Sequence, residues 1–386
     1  MESEYNFDDI RPYRDSELHE GMKRAVVIPE LDKVLAYLFP DKNLDEFKQY
    51  LLSMKTVHEF QEKVIAKFLL DLAAKTANGM DINGLDDLDK EKSYLYISNH
   101  RDIVLDAAFL DTLMIGHGMY AAENAIGDNL CSRSWIAEMM KMNRNFIVKR
   151  SGTKREIFDA SKKLSAYIRQ NIENNSSSIW IAQREGRAKD SNDRTQESLL
   201  KMLSMSAGKD LRQSFIDLNI TPVSISYEYD ACDFLKAKEF QQKRDDAEFK
   251  KAADDDVLSM QTGMMGYKGH IHYEVCEPIS KQLEAMVAPD ADRQTVIEAV
   301  AALVDKAIHS HYRLYPGNYV AYDELEGTSR FAGEKYTDEQ KATFDAYIAK
   351  QIAKIDLPNK DEAFLRERLL TMYSNPLKNY MKAIEA

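Results

Sequence analysis

The 386-residue chain has no run of about eighteen apolar residues, which excludes an ordinary membrane-spanning helix. Its opening residues, Met1-Glu2-Ser3-Glu4-Tyr5, are acidic and polar, so no secretory leader is legible there. Cysteine is scarce. Cys131, Cys232 and Cys276 show no paired spacing, which argues against a disulfide framework and for a reducing compartment. Neither a Cys-x-x-Cys pair nor a His-Glu-x-x-His helix occurs, so the usual zinc signatures are missing. No internal repeat or low-complexity tract is visible. Positive charge is also short: a net charge of −12 argues against broad nucleic-acid binding and gives no general attraction to anionic lipid.

What is present suits a globular protein long enough to bury a sizeable core, as one large domain with helical extensions or as two domains. Residues 1–20 are polar and read as an extended arm. From Ile28 to about Thr76 apolar residues recur at helical spacing, as in Leu31, Val34, Leu35 and Leu38, with a break near Pro40. Asn78-Gly79 and Asn83-Gly84 punctuate an aspartate-rich loop. The chain then alternates apolar strand-like runs with helical stretches, which implies an α/β fold: a mainly parallel sheet flanked by helices. The expected strands include Tyr94-Leu95-Tyr96-Ile97, a short one near Tyr120, and runs at Phe146 and Trp180. The charged run Lys236 to Asp256 reads as an exposed helix or insertion. Helical spacing returns from Pro289 to His311 and from Thr337 to Ala386. The expected organisation is an N-terminal arm and helical unit (1–88), an α/β core (89–285) and a C-terminal helical region (286–386).

One segment carries chemistry. Ser98-Asn99-His100-Arg101-Asp102-Ile103-Val104-Leu105-Asp106 puts a histidine and two acids at the end of an apolar strand, just before a helix with Ala107-Ala108-Phe109-Leu110. Strand ends opening into helices are where α/β folds present reactive groups. A histidine there can take a proton near neutral pH, and a neighbouring carboxylate fixes its tautomer and stabilises its cation. Either Asp106 or Asp102 could be that carboxylate.

Three further blocks follow in order: Asn145-Phe146-Ile147-Val148-Lys149-Arg150, then Ile179-Trp180-Ile181-Ala182-Gln183-Arg184-Glu185-Gly186-Arg187, then Ile220-Thr221-Pro222-Val223-Ser224-Ile225. With the His100 segment, this set resembles the glycerolipid acyltransferases, the family of lysophosphatidate and glycerol-3-phosphate acyltransferases, over roughly residues 90 to 230. That family's mark is Asn-His, four residues, then Asp. Here the fourth-residue rule leads to Leu105, with Asp106 one place later and Asp102 only two residues from His100. Asp106 is the preferred match, because the Leu-Asp with small and apolar residues after it follows the family's text, and Asp102 is the fallback. Arg150 falls on the arginine of the family's Phe-Ile-x-Arg block. Family members read Glu-Gly, one or two residues, Arg, so Arg187 occupies that arginine's place one residue early.

The resemblance implies transfer of an acyl group from a thioester to a hydroxyl, that of 1-acylglycerol 3-phosphate, with acyl-CoA or acyl-carrier protein as co-substrate and no cofactor. His100 would be the general base and Asp106 its orienter. Attack would be direct, so no serine or cysteine nucleophile is required. A phosphate-bearing acceptor needs cations, and arginine is the better forked donor, so Arg150 and Arg187 are the expected phosphate ligands, with Lys149 beside them and Lys189 as a weaker neighbour. Glu185 and Gly186 fit a supporting turn. The bland alternatives are a structural histidine and solvated arginines. The cluster Lys141, Arg144, Lys149, Arg150, Lys154 and Arg155 is a candidate patch for a lipid surface, so the expected setting is cytoplasmic with peripheral membrane contact.

His270 and His272 alternate along a strand and face one side, a pattern that could bind zinc but lacks supporting ligands, so no metal site is expected. His309 and His311, two apart in a helix, do not share a face.

Overall fold

Strands β1 (Gly79–Asn83), β2 (Leu95–Ser98), β3 (Glu123–Gly127), β4 (Asn145–Val148), β5 (Ile179–Ala182), β6 (Ile220–Tyr227) and β7 (His270–Val275) form one sheet in the order β1-β7-β6-β2-β5-β3-β4. They come from a computed structural model that describes residues 5–128, 134–252 and 254–385. Every neighbouring pair is parallel except β6 with β7. The central strands β2 (Leu-Tyr-Ile-Ser) and β6 are buried on both faces, with only small hydroxyl side chains such as Ser98, Thr221 and Ser224 among their apolar residues. The protein is thus an α/β fold with helical additions at both ends.

Helices α1 (Asp15–Val26), α2 (Pro29–Leu38), α3 (Leu44–Leu52), α4 (Val57–Phe60) and α5 (Lys67–Thr76) precede the sheet, and α6 (Leu105–Gly116), α7 (Ser134–Met142) and α8 (Lys154–Glu173) follow β2, β3 and β4. Between β5 and β6 lie α9 (Glu197–Leu203) and α10 (Leu211–Ile216), and between β6 and β7 lie α11 (Asp233–Asp245) and α12 (Asp255–Met265). After β7 come α13 (Ser280–Met286), α14 (Arg293–Ser310), α15 (Pro316–Glu326), α16 (Asp338–Ala353) and α17 (Glu362–Glu385). The two-residue period of β2 splits its side chains between two cores. Leu95 and Ile97 join Ile168, Leu200, Phe215 and Val300 beneath α8, α9, α10 and α14. Tyr96 joins Leu72, Phe109, Leu110 and Ile225 beneath α5 and α6.

Several expectations are revised. The arm is not extended to residue 20: α1 begins at Asp15, because Arg11 pairs with Glu17 at 2.6 Å and so fixes the helix start. Before it, the Ile10 carbonyl accepts from Ile147 N at 2.9 Å and covers the open edge of β4. The stretch between Asn78 and Gly84 is a strand rather than a loop, since it pairs with β7, so the sheet draws its edge strand from before residue 88. The strand expected near Tyr120 begins at Glu123, and Tyr120 is exposed. The charged run after Lys236 is not simply solvated: Lys236, Ala237, Glu239 and Gln241 of α11 are buried, and α11 packs on α17. On the C-terminal side, α14 belongs to the sheet's own core, with Val296, Val300 and Val304 against it.

The C-terminal helices are tied down by a buried acid. Asp233 accepts from the Tyr347 and Tyr373 hydroxyls, each at 2.7 Å. Burial, with Asp230 nearby, pushes its carboxyl up to about 7. The folded protein therefore holds this proton more tightly than the unfolded chain, so the stabilisation is full below the unfolded value of about 3.9 and is lost as pH rises through about 7. Calorimetry of Asp233→Asn should show a melting temperature that falls less between pH 4 and pH 7 than that of the parent. An identical pH dependence would count against this assignment.

Candidate active site

At the end of β2 the backbone pairing continues through a side chain. Asn99 donates from Nδ2 to the Ile225 carbonyl at 2.9 Å and accepts from Ile225 N at 2.8 Å, which pins the loop to β6. His100 follows, and its Nδ1 lies 2.8 Å from Asp106 Oδ2 in the first turn of α6. The same oxygen accepts from Arg101 N at 2.6 Å and Asp102 N at 3.0 Å, while Oδ1 accepts from the Tyr227 hydroxyl at 3.1 Å. Asp106 is fully buried, and the start of α6 adds the favourable end of the helix dipole. With the carboxylate accepting at Nδ1, the lone pair is on Nε2, which has no protein hydrogen bond among the described residues.

Asp102 has a different partner set. Its Oδ1 accepts from Val104 N at 2.9 Å and Leu105 N at 2.8 Å, closing the turn that leads into α6. The other oxygen lies against the backbone of α12, where a Cβ on Gly263 would fall 1.9 Å from it. Burial, and then Asp106, raise the Asp102 carboxyl above its usual range, with the Leu105 and Val104 N–H groups and then Arg187 opposing. The structure therefore puts Asp106, not Asp102, on His100.

The loop is also held from behind. Arg101 Nη2 meets Asp193 Oδ2 at 2.7 Å in a pair of which neither side chain is more than 6% exposed. Burial works against the guanidinium's charge, but Asp193, Tyr312 and Asp230 outweigh it and keep Arg101 above its usual range. The Lys236 ammonium donates to the Arg101 carbonyl at 3.1 Å. Trp180 stands edge-on to His100, with ring centroids 6.0 Å apart, and its indole N–H donates to Ser98 Oγ at 3.1 Å.

His100 lines a cavity of about 680 Å³ at the carboxyl ends of β3, β4 and β5. This is where parallel sheets bind ligands, because strand ends and helix starts converge there. One wall is apolar, with Ile126, Val148, Leu164, Ile181, Leu199 and Met202. The rim carries Lys149, Arg150, Arg184, Arg187, Lys189 and Lys251. The structure thus brings His100, Lys149, Arg150, Glu185, Gly186 and Arg187 around one space. Arg150 Nη1 is 3.6 Å from Glu185 Oε1, and Lys149 is 3.9 Å from Glu156. Arg187 Nη1 is buried without a hydrogen-bond partner among the described residues. Gly186 takes a left-handed conformation, φ 67°, that suits its turn, and Glu185 N donates to Gln196 Oε1 at 2.8 Å. Lys189 is paired with Glu239, and burial lowers its ammonium below its usual range against that carboxylate's pull.

Trp180, Arg184, Gln196, Tyr227 and Lys251 escaped the sequence reading as site residues. Arg184 and Trp180 sit inside the Glu185 block and could have been found there, whereas Tyr227 and Lys251 reach the site only through folding. The six-residue basic cluster disperses: Lys141 donates to the Asp8 and Asp9 carbonyls and Arg144 reaches Ser177 and Glu123, which leaves Lys149 and Arg150 at the cavity. His272 and His270 both contact Asp81, the latter at 3.1 Å. No group of three or more ligating side chains is placed to hold a metal ion among the described residues. His309 is buried and bonds the Asp193 carbonyl at 2.9 Å. Cys131 lies outside the described residues.

No family model matches the chain, and no curated protein does. Among solved structures, the chain is similar to the crystal structure of the 1-acyl-sn-glycerophosphate (LPA) acyltransferase PlsC from Thermotoga maritima, at a TM-score of 0.34 and 11% identity, over 74% of this chain and 96% of that one. So loose a likeness carries no weight for the activity of this protein.

The close approach of Asp102 to α12 requires a residue without a Cβ. Gly263→Ala should lower stability by about 1–3 kcal/mol in denaturant melts, the usual cost of overpacking a filled site. A neutral substitution would mean that α12 does not press on the Asp102 carboxylate.

Proposed function

We propose that the protein is an O-acyltransferase that moves a fatty acyl group from acyl-CoA or acyl-carrier protein to the hydroxyl of 1-acylglycerol 3-phosphate. The observation that carries this reading is a histidine held at Nδ1 by a buried carboxylate, with its other nitrogen left for a cavity that has both an apolar wall and a cationic rim. The resemblance of four ordered sequence blocks to the glycerolipid acyltransferases supports the same reading.

In this mechanism His100 Nε2 removes the acceptor's hydroxyl proton as its oxygen attacks the thioester carbonyl. Asp106 keeps the imidazole in place and stabilises the imidazolium that forms. The tetrahedral intermediate collapses by expelling the thiolate, which takes the proton back from the imidazolium. Arg150, Arg187 and Lys149 grip the acceptor's phosphate, with Glu185 and Gly186 shaping the loop that presents them. An acyl chain lies along Ile126, Val148, Leu164 and Leu199. The chemistry needs no metal or organic cofactor, only the thioester co-substrate.

No helix among the described residues is long and apolar enough to cross a membrane. We place the protein in the cytoplasm, where it takes its lipid from a membrane face by peripheral contact. Glycerol 3-phosphate or a lyso-aminolipid as acceptor would keep the same chemistry. The reading from a different class is a catalytically silent lipid binder on this fold.

Thiol release from acyl-CoA or acyl-carrier protein, followed across a panel of acceptors, separates these readings. Turnover should require a phosphate-bearing acceptor, and saturable lipid binding without turnover on any acceptor would favour the silent binder. His100→Ala should lower kcat by about 10²–10⁴-fold, the usual share of a general base, and Asp106→Asn should cost more than Asp102→Asn. Arg150→Ala and Arg187→Ala should raise the acceptor's KM. Full activity in His100→Ala would overturn the mechanism.

A further inference from the structure

Asp106 is held unevenly. Oδ2 accepts three N–H donors, from His100, Arg101 and Asp102, whereas Oδ1 accepts one, the Tyr227 hydroxyl. A fully buried carboxylate with one oxygen served by a single donor depends on that donor for both its orientation and its charge. Tyr227 is the last residue of β6, 121 positions along the chain from Asp106. It lines the small cavity of about 30 Å³ behind the loop, with Arg101, Ser226, Asp230 and Tyr312, rather than the larger space that His100 faces. Its phenol is raised well above the usual range by burial, and then by Tyr273 and Asp106, so it remains a donor at any working pH.

The neighbouring Tyr273 makes an internal contrast. Its hydroxyl lies 3.5 Å from that of Tyr227, but it donates to the main chain, to the Asp106 carbonyl at 3.0 Å and the Leu105 carbonyl at 3.3 Å. One tyrosine supports the helix start, and the other touches the carboxylate that orients the imidazole.

We propose that Tyr227 is a positioning residue for the acid–base pair: its hydroxyl fixes the plane of the Asp106 carboxylate and tempers the strength of the bond from His100 Nδ1. The inference deepens the function proposed above and rests on His100 being the base. Removing the phenol leaves Oδ1 without a donor, which concentrates negative charge on the oxygen that His100 meets and frees the carboxylate to turn. The His100–Asp106 bond then becomes stronger, and less well aimed for a substrate in the cavity.

The test compares Tyr227→Phe with Tyr273→Phe in the full-length protein, following thiol release and the proton NMR signal of the His100 Nδ1–H, assigned by its loss in His100→Ala. In Tyr227→Phe, kcat should fall about tenfold, the usual effect of one hydrogen bond to a charged group, with both KM values within about twofold. The Nδ1–H signal should move downfield. In Tyr273→Phe, stability should fall while kcat and the signal stay near the parent values. Placing 3-fluorotyrosine at 227 makes a stronger donor of similar shape, so the signal should move upfield, and this readout serves if Tyr227→Phe does not fold. An unmoved signal in the 227 variants, or equal effects of Tyr227→Phe and Tyr273→Phe on it, would overturn the proposal. Because the signal needs no turnover, the expected signal shifts in a protein without acyltransfer would leave the Tyr227–Asp106–His100 hydrogen-bond chain standing while sinking the function reading, and with it that chain's role in proton transfer.

Discussion

A buried carboxylate, Asp106, sets the geometry around it. Taking an ionised acid out of water costs several kcal/mol unless hydrogen bonds replace the lost hydration, and here four donors do so. Two are backbone N–H groups of the loop that carries His100, so satisfying the charge also folds the loop. The third is the imidazole, and the fourth arrives from β6. The same requirement that stabilises the acid therefore aims the histidine.

The loop's back is fixed by a second buried charge. Arg101 reaches Asp193, which follows Arg187 and Lys189 in the segment between β5 and α9, so one ion pair joins the His100 loop to the loop that carries the rim cations. His309 of α14 bonds the Asp193 carbonyl, and Lys236 of α11 bonds the Arg101 carbonyl. Breaking one partner of such a pair leaves an uncompensated buried charge, typically about 3–5 kcal/mol. Helices remote in sequence thus hold the site rigid without lining it.

Much of this was legible one residue at a time. His100 and the blocks that end in Arg150 and Arg187 stand at strand ends, and a parallel α/β sheet brings its carboxyl ends to one side, so their convergence follows from the alternation of elements; the Ile220 block lies within β6. The family resemblance favoured Asp106 over Asp102, and the structure agrees, but spacing alone left the choice open, because both lie within reach of His100 along the chain. It turned on which acid faces the backbone N–H groups of residues 101 and 102 and which closes the turn at residues 104 and 105. Charge pattern misled where a helix packs by its polar face: α11 reads as solvated, yet it buries Lys236 and Glu239 against partners elsewhere in the chain. The edge strand β1 was hidden for a related reason, since Asp81 and Asn83 look like loop residues until β7 supplies the pairing and His272 and Glu274 supply partners.

By itself the sequence determined the fold class, the strand ends that bear His100, Arg150 and Arg187, and the side of the sheet on which they meet. These follow from hydrophobic period and chain direction, which are local properties. The tertiary structure alone decided that Tyr227 and Lys251 join the site and that Arg101 is a buried clamp. Each of those depends on contacts between residues far apart in the chain, and one-dimensional spacing carries no information about which distant donor will satisfy a buried charge.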